Sequence, residues 1–247
     1  MADQQKKAHI YNSTANMWLS FIRRVGLWEF FMMLVRHFGA NIIIPRLPKK
    51  TFSFEGATLD YFYRKYNITW VTERVLEVPI GLHCLSQAGP DRTLEVGNVL
   101  GHYINPQHTI LDKFEKGPGI INQDILEFHP ERRFDLILSI STFEHIGYED
   151  DGDPDPEKIR AAIAACQRLL TAGGRLIITV PFGYNRYMDR YVAEDRIKPD
   201  KATFFEKENK LDWRQASKEE ALRRRYAKPY PYANAIMVGE FRAKPEA

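Results

Sequence analysis

The run Phe134-Asp135-Leu136-Ile137-Leu138-Ser139-Ile140 narrows the choice of folds more than any other stretch of this chain. An apolar run of this length suits a strand covered on both faces, which is the situation of a parallel sheet held between helices. Shorter runs repeat the pattern: Thr93 to Val96, Thr109 to Leu111, a marginal Gly119 to Asn122, and Arg175 to Val180, ended by Pro181. Between the last two long runs, Ile159, Ala162, Ile163, Cys166 and Leu169-Leu170 recur at helical spacing, which predicts a helix from Pro156 to Leu170 stopped by Gly173-Gly174. Strands alternating with helices in this way imply an α/β fold, a mostly parallel twisted sheet with helices on both faces. The tail adds strand candidates at Thr203 to Glu206 and Ala235 to Phe241, with a helix at Lys218 to Arg225 between them, as for a paired sheet edge.

Ahead of this core the pattern differs. Met17 to about Phe38 reads as an amphipathic helix rich in Trp, Phe and Met. Arg23, Arg24, Glu29 and Arg36 interrupt it, so it does not reach the roughly 20 apolar residues of a membrane span. Two uses stay open for it: a lid or homodimer element, or a helix lying in a membrane interface with Trp18 and Trp28 at headgroup level. A Pro- and charge-rich connector, Ile44 to Lys50, separates it from a hairpin predicted around Glu55-Gly56, Thr51 to Phe54 with Thr58 to Tyr63. A helix from Trp70 to about Ala88 comes next, with Thr69 as its cap and a kink or restart at Pro79. The expected organisation is an N-terminal helical extension over 1–50 and a catalytic domain over 51–247, with its ligand-binding core at about 91–185 and a substrate and edge-strand region at 186–247.

Composition excludes several classes. With 247 residues there is room for one α/β domain and an extension. The 44% hydrophobic and 27% charged content is that of a globular chain, and a net charge of +3 gives no case for a nucleic-acid partner. Cys84 and Cys166 have neither CxxC spacing nor a histidine pattern, so they read as small buried thiols and agree with a cytoplasmic protein, in solution or peripheral at a membrane. Arg223-Arg224-Arg225 reads as a solvated helix face.

In open α/β sheets ligands bind beyond the carboxyl ends of the strands. After the first strand comes Glu95-Val96-Gly97-Asn98-Val99-Leu100-Gly101, where glycines allow close backbone approach and a carboxylate can accept hydrogen bonds. The turn lacks the GxGxxG spacing that seats a pyrophosphate, which disfavours a dinucleotide. Asp112 follows the second strand and can take two ribose hydroxyls, with Glu115 a rival for that role. Asp124 follows the third, with Ile125 beside it to cover an adenine face.

Taken in order, these residues resemble the core of the class I S-adenosylmethionine-dependent methyltransferases, over Arg92 to Asn185. Glu95, Gly97 and Gly101 match that family's acid-x-Gly-x-Gly-x-Gly turn, with Val99 in place of the middle glycine. Phe134 to Ile146 is similar to its "FDL…EH" motif, and Leu169 to Leu176 to its step into the fifth strand. The resemblance implies a Rossmann-like domain binding S-adenosylmethionine through Glu95, Gly97, Asn98, Gly101, Asp112, Asp124, Ile125 and Ser141. The flanks, Tyr66 to Trp70 with Glu73-Arg74, Pro181 to Asn185 and Pro229 to Ala235, are similar to a subgroup associated with sugar and glycan modification.

Methyl transfer to a hydroxyl profits from a nearby base. His145 is the candidate and Glu144 the second, since each follows the fourth strand. Arg74 is expected either to meet the cofactor carboxylate or to pair with Glu73 or Glu77. Tyr184 and Asn185 are expected at the acceptor. The acidic run Glu149 to Asp155 reads as a loop capping the next helix, and no metal site is expected. The acceptor is expected to be a small polar molecule or a glycan. The competing expectation is a catalytically degenerate cofactor-binding subunit, which the departure at Val99 leaves open.

Overall fold

A computed structural model describes residues 26–148 and 154–244. The first helix, α1, spans Leu27–Ile43, extending past the expected Phe38, while Met17 to Val25 lie outside the described residues. Strands β1, Thr51–Phe54, and β2, Ala57–Asp60, form the expected antiparallel hairpin. Glu55 and Gly56 turn it with positive φ of 50° and 79°.

Helix α2 spans Arg74–Ser86 and runs through Pro79 without breaking. Proline cannot donate to the carbonyl four residues back. That carbonyl, on Val75, accepts instead from the backbone N–H of Phe62 at 3.1 Å, so the proline's missing bond docks the hairpin's exit. Thr69 does not cap this helix. Its hydroxyl donates to the Phe62 carbonyl at 2.5 Å and accepts from the Arg64 N–H at 2.7 Å, tying the preceding loop.

The main sheet contains β3 (Thr93–Val96), β4 (Thr109–Leu111), β5 (Ile120–Ile121), β6 (Phe134–Ile140), β7 (Leu170–Pro181), β8 (Lys201–Lys207), β9 (Trp213–Ala216) and β10 (Ala235–Arg242). Their order is β5-β4-β3-β6-β7-β10-β8-β9. The five strands from β5 to β7 are parallel, so this half is the Rossmann-like arrangement that the sequence implies. The tail departs from expectation. β8 and β10 do pair, but β10 is antiparallel to both neighbours and inserted between β7 and β8. The edge is β9, whose four residues alternate too briefly to stand out in sequence.

Helices cover both faces. Helix α3 (Glu157–Leu169) and α4 (Arg186–Ala193) pack with α5 (Lys218–Leu222) on one side, over Leu94, Ile137, Leu176, Ile178 and Met237. α2 and the hairpin cover the other, over Leu138, Ile140, Ile177 and Val238. Gly173-Gly174 does not stop α3, which ends at Leu169 where the chain enters β7. A Cβ on Gly174 would stand 2.8 Å from the Phe134 carbonyl, so the glycine serves the irregular start of the β6–β7 pairing.

Candidate functional site

A cavity of about 430 Å³ opens at the carboxyl ends of β3, β4 and β6, within the usual size of a small-molecule site. Gly97, Asn98, Asp112, Asp124, Ile125, Ser141 and His145 line it, and Arg74 closes it from α2. Eight of the residues expected at the site thus meet at one place. Glu95, Gly101, Glu144 and Asn185 stand behind it, each with a structural task, and Tyr184 packs on His145 at its rim.

The turn after β3 needs Gly97 twice over. Its φ is +88°, and a Cβ there would stand 2.2 Å from the Thr142 hydroxyl on the opposite wall. Val99 takes φ −92° and ψ −49°, an ordinary backbone conformation, so the departure from glycine distorts nothing. Glu95 does not reach the cavity. Fully buried, it accepts from the N–H groups of Val99 at 2.9 Å and Leu100 at 2.7 Å, and lies 2.8 Å from His108 Nε2. It holds the turn and is not free to meet a ligand. Gly101 makes room for Asn98, whose Oδ1 would lie 2.1 Å from a Cβ at 101. The turn leads into a three-residue 3-10 segment, Leu100–His102, where a dinucleotide fold places a helix N-terminus.

Asp112 is more occupied than the sequence suggests. One carboxylate oxygen accepts from the N–H groups of Phe114 at 2.8 Å and Glu115 at 2.7 Å, and the other from Asn98 at 3.1 Å. A carboxylate has about four acceptor positions, so one remains, fewer than a grip on two hydroxyls uses. The rival Glu115 also borders the cavity, 2.8 Å from the Asn98 amide nitrogen and 3.2 Å from His102 Nε2. On the far wall, Asp124 is paired with Lys113 at 3.1 Å, beside the buried Ile125.

Arg74 pairs with Glu77, one of the two expected alternatives, yet it also faces the cavity. Burial works against its charge, and the carboxylates of Glu77 and Glu73 outweigh it. Its Nε is buried without a hydrogen-bond partner among the described residues. Glu77 accepts from the hydroxyls of Ser141 and Thr179, each at 2.7 Å, and so joins α2 to the ends of β6 and β7.

His145 stands at the cavity rim, its Nδ1 3.3 Å from the Tyr184 hydroxyl and its Nε2 3.8 Å from Glu144. Glu144 is only 2% exposed and does not line the cavity. Burial pushes its carboxyl up to about 8, and its Oε2 has no hydrogen-bond partner among the described residues. It backs the histidine and does not reach a substrate. Asn185 is fully buried and therefore no acceptor contact: its side chain caps α4 by accepting from Tyr187 at 2.9 Å and Met188 at 3.2 Å, and donates to the Glu144 carbonyl at 2.8 Å.

Tyr184 packs edge-on to His145 at 4.9 Å and meets Tyr226 at 5.2 Å and Tyr148 at 6.4 Å, making an aromatic wall beside the cavity. Tyr148 and Tyr226 come from distant segments, and no spacing in the sequence announces them. Tyr66, which the sequence marks only as part of a flank resemblance, stacks its ring on His102 at 5.1 Å on the cavity's rim. Of the acidic run, Glu149 to Asp153 lie outside the described residues. Asp155 Oδ1 accepts from the Glu157 N–H at 3.2 Å at the start of α3.

No protein-family model and no curated protein matches the chain. Among solved structures, it is similar to the N-methyltransferase NodS from Bradyrhizobium japonicum bound to S-adenosyl-L-homocysteine, at 14% identity, covering 70% of this chain and 92% of that one, with a TM-score of 0.42. It is also similar to a possible histamine N-methyltransferase from Thermotoga maritima (14% identity, 68% of this chain and 88% of that one, TM-score 0.41). A third is a putative methyltransferase from Streptococcus mutans in complex with SAH (11% identity, 67% of this chain and 98% of that one, TM-score 0.40). The fold rests on the chain's own topology. A parallel β5-β4-β3-β6-β7 half, a glycine turn after β3 and a cleft built from successive strand ends give this protein a Rossmann-like α/β fold.

Proposed function

We propose that the chain is an S-adenosylmethionine-dependent methyltransferase that methylates a hydroxyl of a small polar or sugar-like acceptor. The observation that carries the reading is the polar lining of the cavity. Acceptor groups at Asp112, Glu115 and Asp124, an apolar patch at Ile125 and an unpartnered guanidinium nitrogen at Arg74 surround a turn that only glycine can occupy at position 97. These suit an amino-acid carboxylate, ribose hydroxyls and an adenine, while the 3-10 segment after β3 offers no cradle for a pyrophosphate. Arg74 would take the carboxylate, Glu115 and the spare position of Asp112 the ribose, and Asp124 with Ile125 the base. Bound there, S-adenosylmethionine supplies a methyl group activated by its sulfonium.

The protein's share is then alignment, exclusion of water and management of one proton. His145 receives the proton from the acceptor hydroxyl, and Tyr184 orients its ring through Nδ1. The cluster of Tyr184, Tyr148 and Tyr226 beside His145 is where a sugar ring or a similar polar ring would pack.

A thermal-shift titration tests the reading. S-adenosylhomocysteine at 100 times its dissociation constant should stabilise the chain by about 2.7 kcal/mol, and Asp124→Ala should weaken that binding. Stabilisation by NADH with no response to S-adenosylhomocysteine would overturn the proposal. A screen of sugars and metabolites with labelled cofactor then identifies the acceptor.

A further inference from the structure

Seven of the ten large apolar side chains that stand exposed on the described residues belong to one helix, α1: Leu27, Trp28, Phe31, Leu34, Val35, Phe38 and Ile42. They recur at intervals of three and four and so form one face. Trp28 and Phe38 are 73% and 78% exposed. The opposite face is already used. Ala40 is fully buried, and Met33 and Ile43 pack with it against Trp70, Val71 and Tyr232. Contrary to the expectation from its charges, Leu27–Arg46 is long and apolar enough by composition to cross a membrane. With its inner side fixed to the protein body, however, α1 can present only its outer side.

Charge identifies what covers that outer side. The one acid of the helix, Glu29, is paired with Arg36, and both side chains are largely buried. His37 is exposed on the helix, and Arg46 and Lys49 are exposed just beyond its end. In the sequence Arg23-Arg24 precede it, within the further apolar residues Met17, Trp18, Leu19, Phe21 and Ile22. Among the described residues the face is thus aromatic and aliphatic, with the cations Arg46 and Lys49 exposed just beyond its C-terminal end. Two copies meeting through it with their helices parallel would bring Arg46 and Lys49 of each against those of the other. An anionic bilayer surface satisfies both parts, taking the aromatic side chains at headgroup depth and the cations against phosphate.

We propose that α1 is a membrane-docking helix that lies flat in the interface of an anionic lipid bilayer. The segment against which it packs, Tyr66–Val71, also supplies Tyr66 and Asn67 to the cavity wall, so one short segment joins the docking helix to the cleft.

Cosedimentation of the full chain with vesicles tests this directly. Vesicles of phosphatidylcholine containing phosphatidylglycerol should carry the protein down, and vesicles of phosphatidylcholine alone should do so less, with the difference shrinking at high salt. Trp28→Ser/Phe31→Ser/Phe38→Ser should lose binding by at least tenfold with the melting temperature and circular dichroism unchanged, because these side chains touch solvent and not the core. Arg46→Gln and Lys49→Gln should each weaken binding to the anionic vesicles by about fivefold. A chain that stays in the supernatant with both vesicle types overturns the proposal. So does a stable dimer in size-exclusion chromatography that the triple variant converts to monomer. None of these readouts depends on the methyltransferase reading.

Discussion

Two neighbouring residues at the end of β6 show how depth divides one motif into two roles. His145 borders the cavity, while Glu144 beside it is closed off under α4's capping residue. Burial holds the Glu144 carboxyl near 8, above its ordinary 4.5. Between those values the folded chain keeps a proton that the unfolded chain has released, so stability falls as pH rises from about 4.5 to about 8. Glu144→Gln cannot ionise and is expected to flatten that part of the profile. Its advantage over the parent chain should grow toward pH 8, reaching on the order of a few kcal/mol. Urea denaturation of both proteins across this range measures the effect, and parallel profiles would show that Glu144 titrates normally. The sequence places Asp112 and Glu95 correctly at the ends of their strands but does not show how each oxygen is engaged. Backbone N–H groups within five residues, the more distant Asn98 N–H for Asp112 and His108 for Glu95 take those positions, and only the folded loops decide which do.

At the scale of elements, the signal in sequence follows burial on both faces. β6 and β7 are long and apolar, so their positions are legible; β9 and α4 are short and half exposed, so they are not. Yet α4 carries a local mark, the Asn185 cap followed by Met188, Tyr191 and Val192 on one face. The seating of α2 on the sheet depends on Gly81, where a Cβ would stand 2.7 Å from Ile140 Cδ1 and 3.2 Å from the Leu100 methyl groups. Gly81→Leu gains about 1 kcal/mol in helix propensity and loses about 1–3 kcal/mol to overpacking. The full leucine side chain has no space between α2 and β6, so the loss should win, lowering the melting temperature by several degrees. Calorimetry reads this, and an unchanged transition would mean that Leu100 and Ile140 move aside freely.

Across the whole molecule, one buried cation joins segments that the sequence keeps far apart. Lys207, 1% exposed at the end of β8, donates to the carbonyls of Val71 at 2.8 Å and Pro231 at 2.9 Å. Burial lowers its amine to about 8 from 10.5. The folded chain therefore releases this proton before the unfolded one, and stability should rise between about pH 8 and 10.5. Lys207→Met keeps the length of the side chain but leaves two buried carbonyls unpaired, at a cost of about 2 kcal/mol near neutral pH. It should also abolish the alkaline rise, as guanidinium denaturation at pH 7 and pH 10 would show. An unchanged midpoint would mean that the carbonyls find other partners.

The order of residues along the chain was enough to establish the parallel half of the sheet, the end of it at which the cavity opens, and the glycine turn at 97. These depend on runs of neighbouring residues, whose alternation and apolar content are set by burial against helices. It took the folded chain to show that β10 enters between β7 and β8, that the Nε of Arg74 is buried without a hydrogen-bond partner among the described residues, and that Asp112 is held by its own loop and by the Asn98 N–H. The strand order turns on partners far along the chain and the side-chain contacts on how each loop folds, and a polar side chain is available to a ligand only when such partners have not already satisfied it.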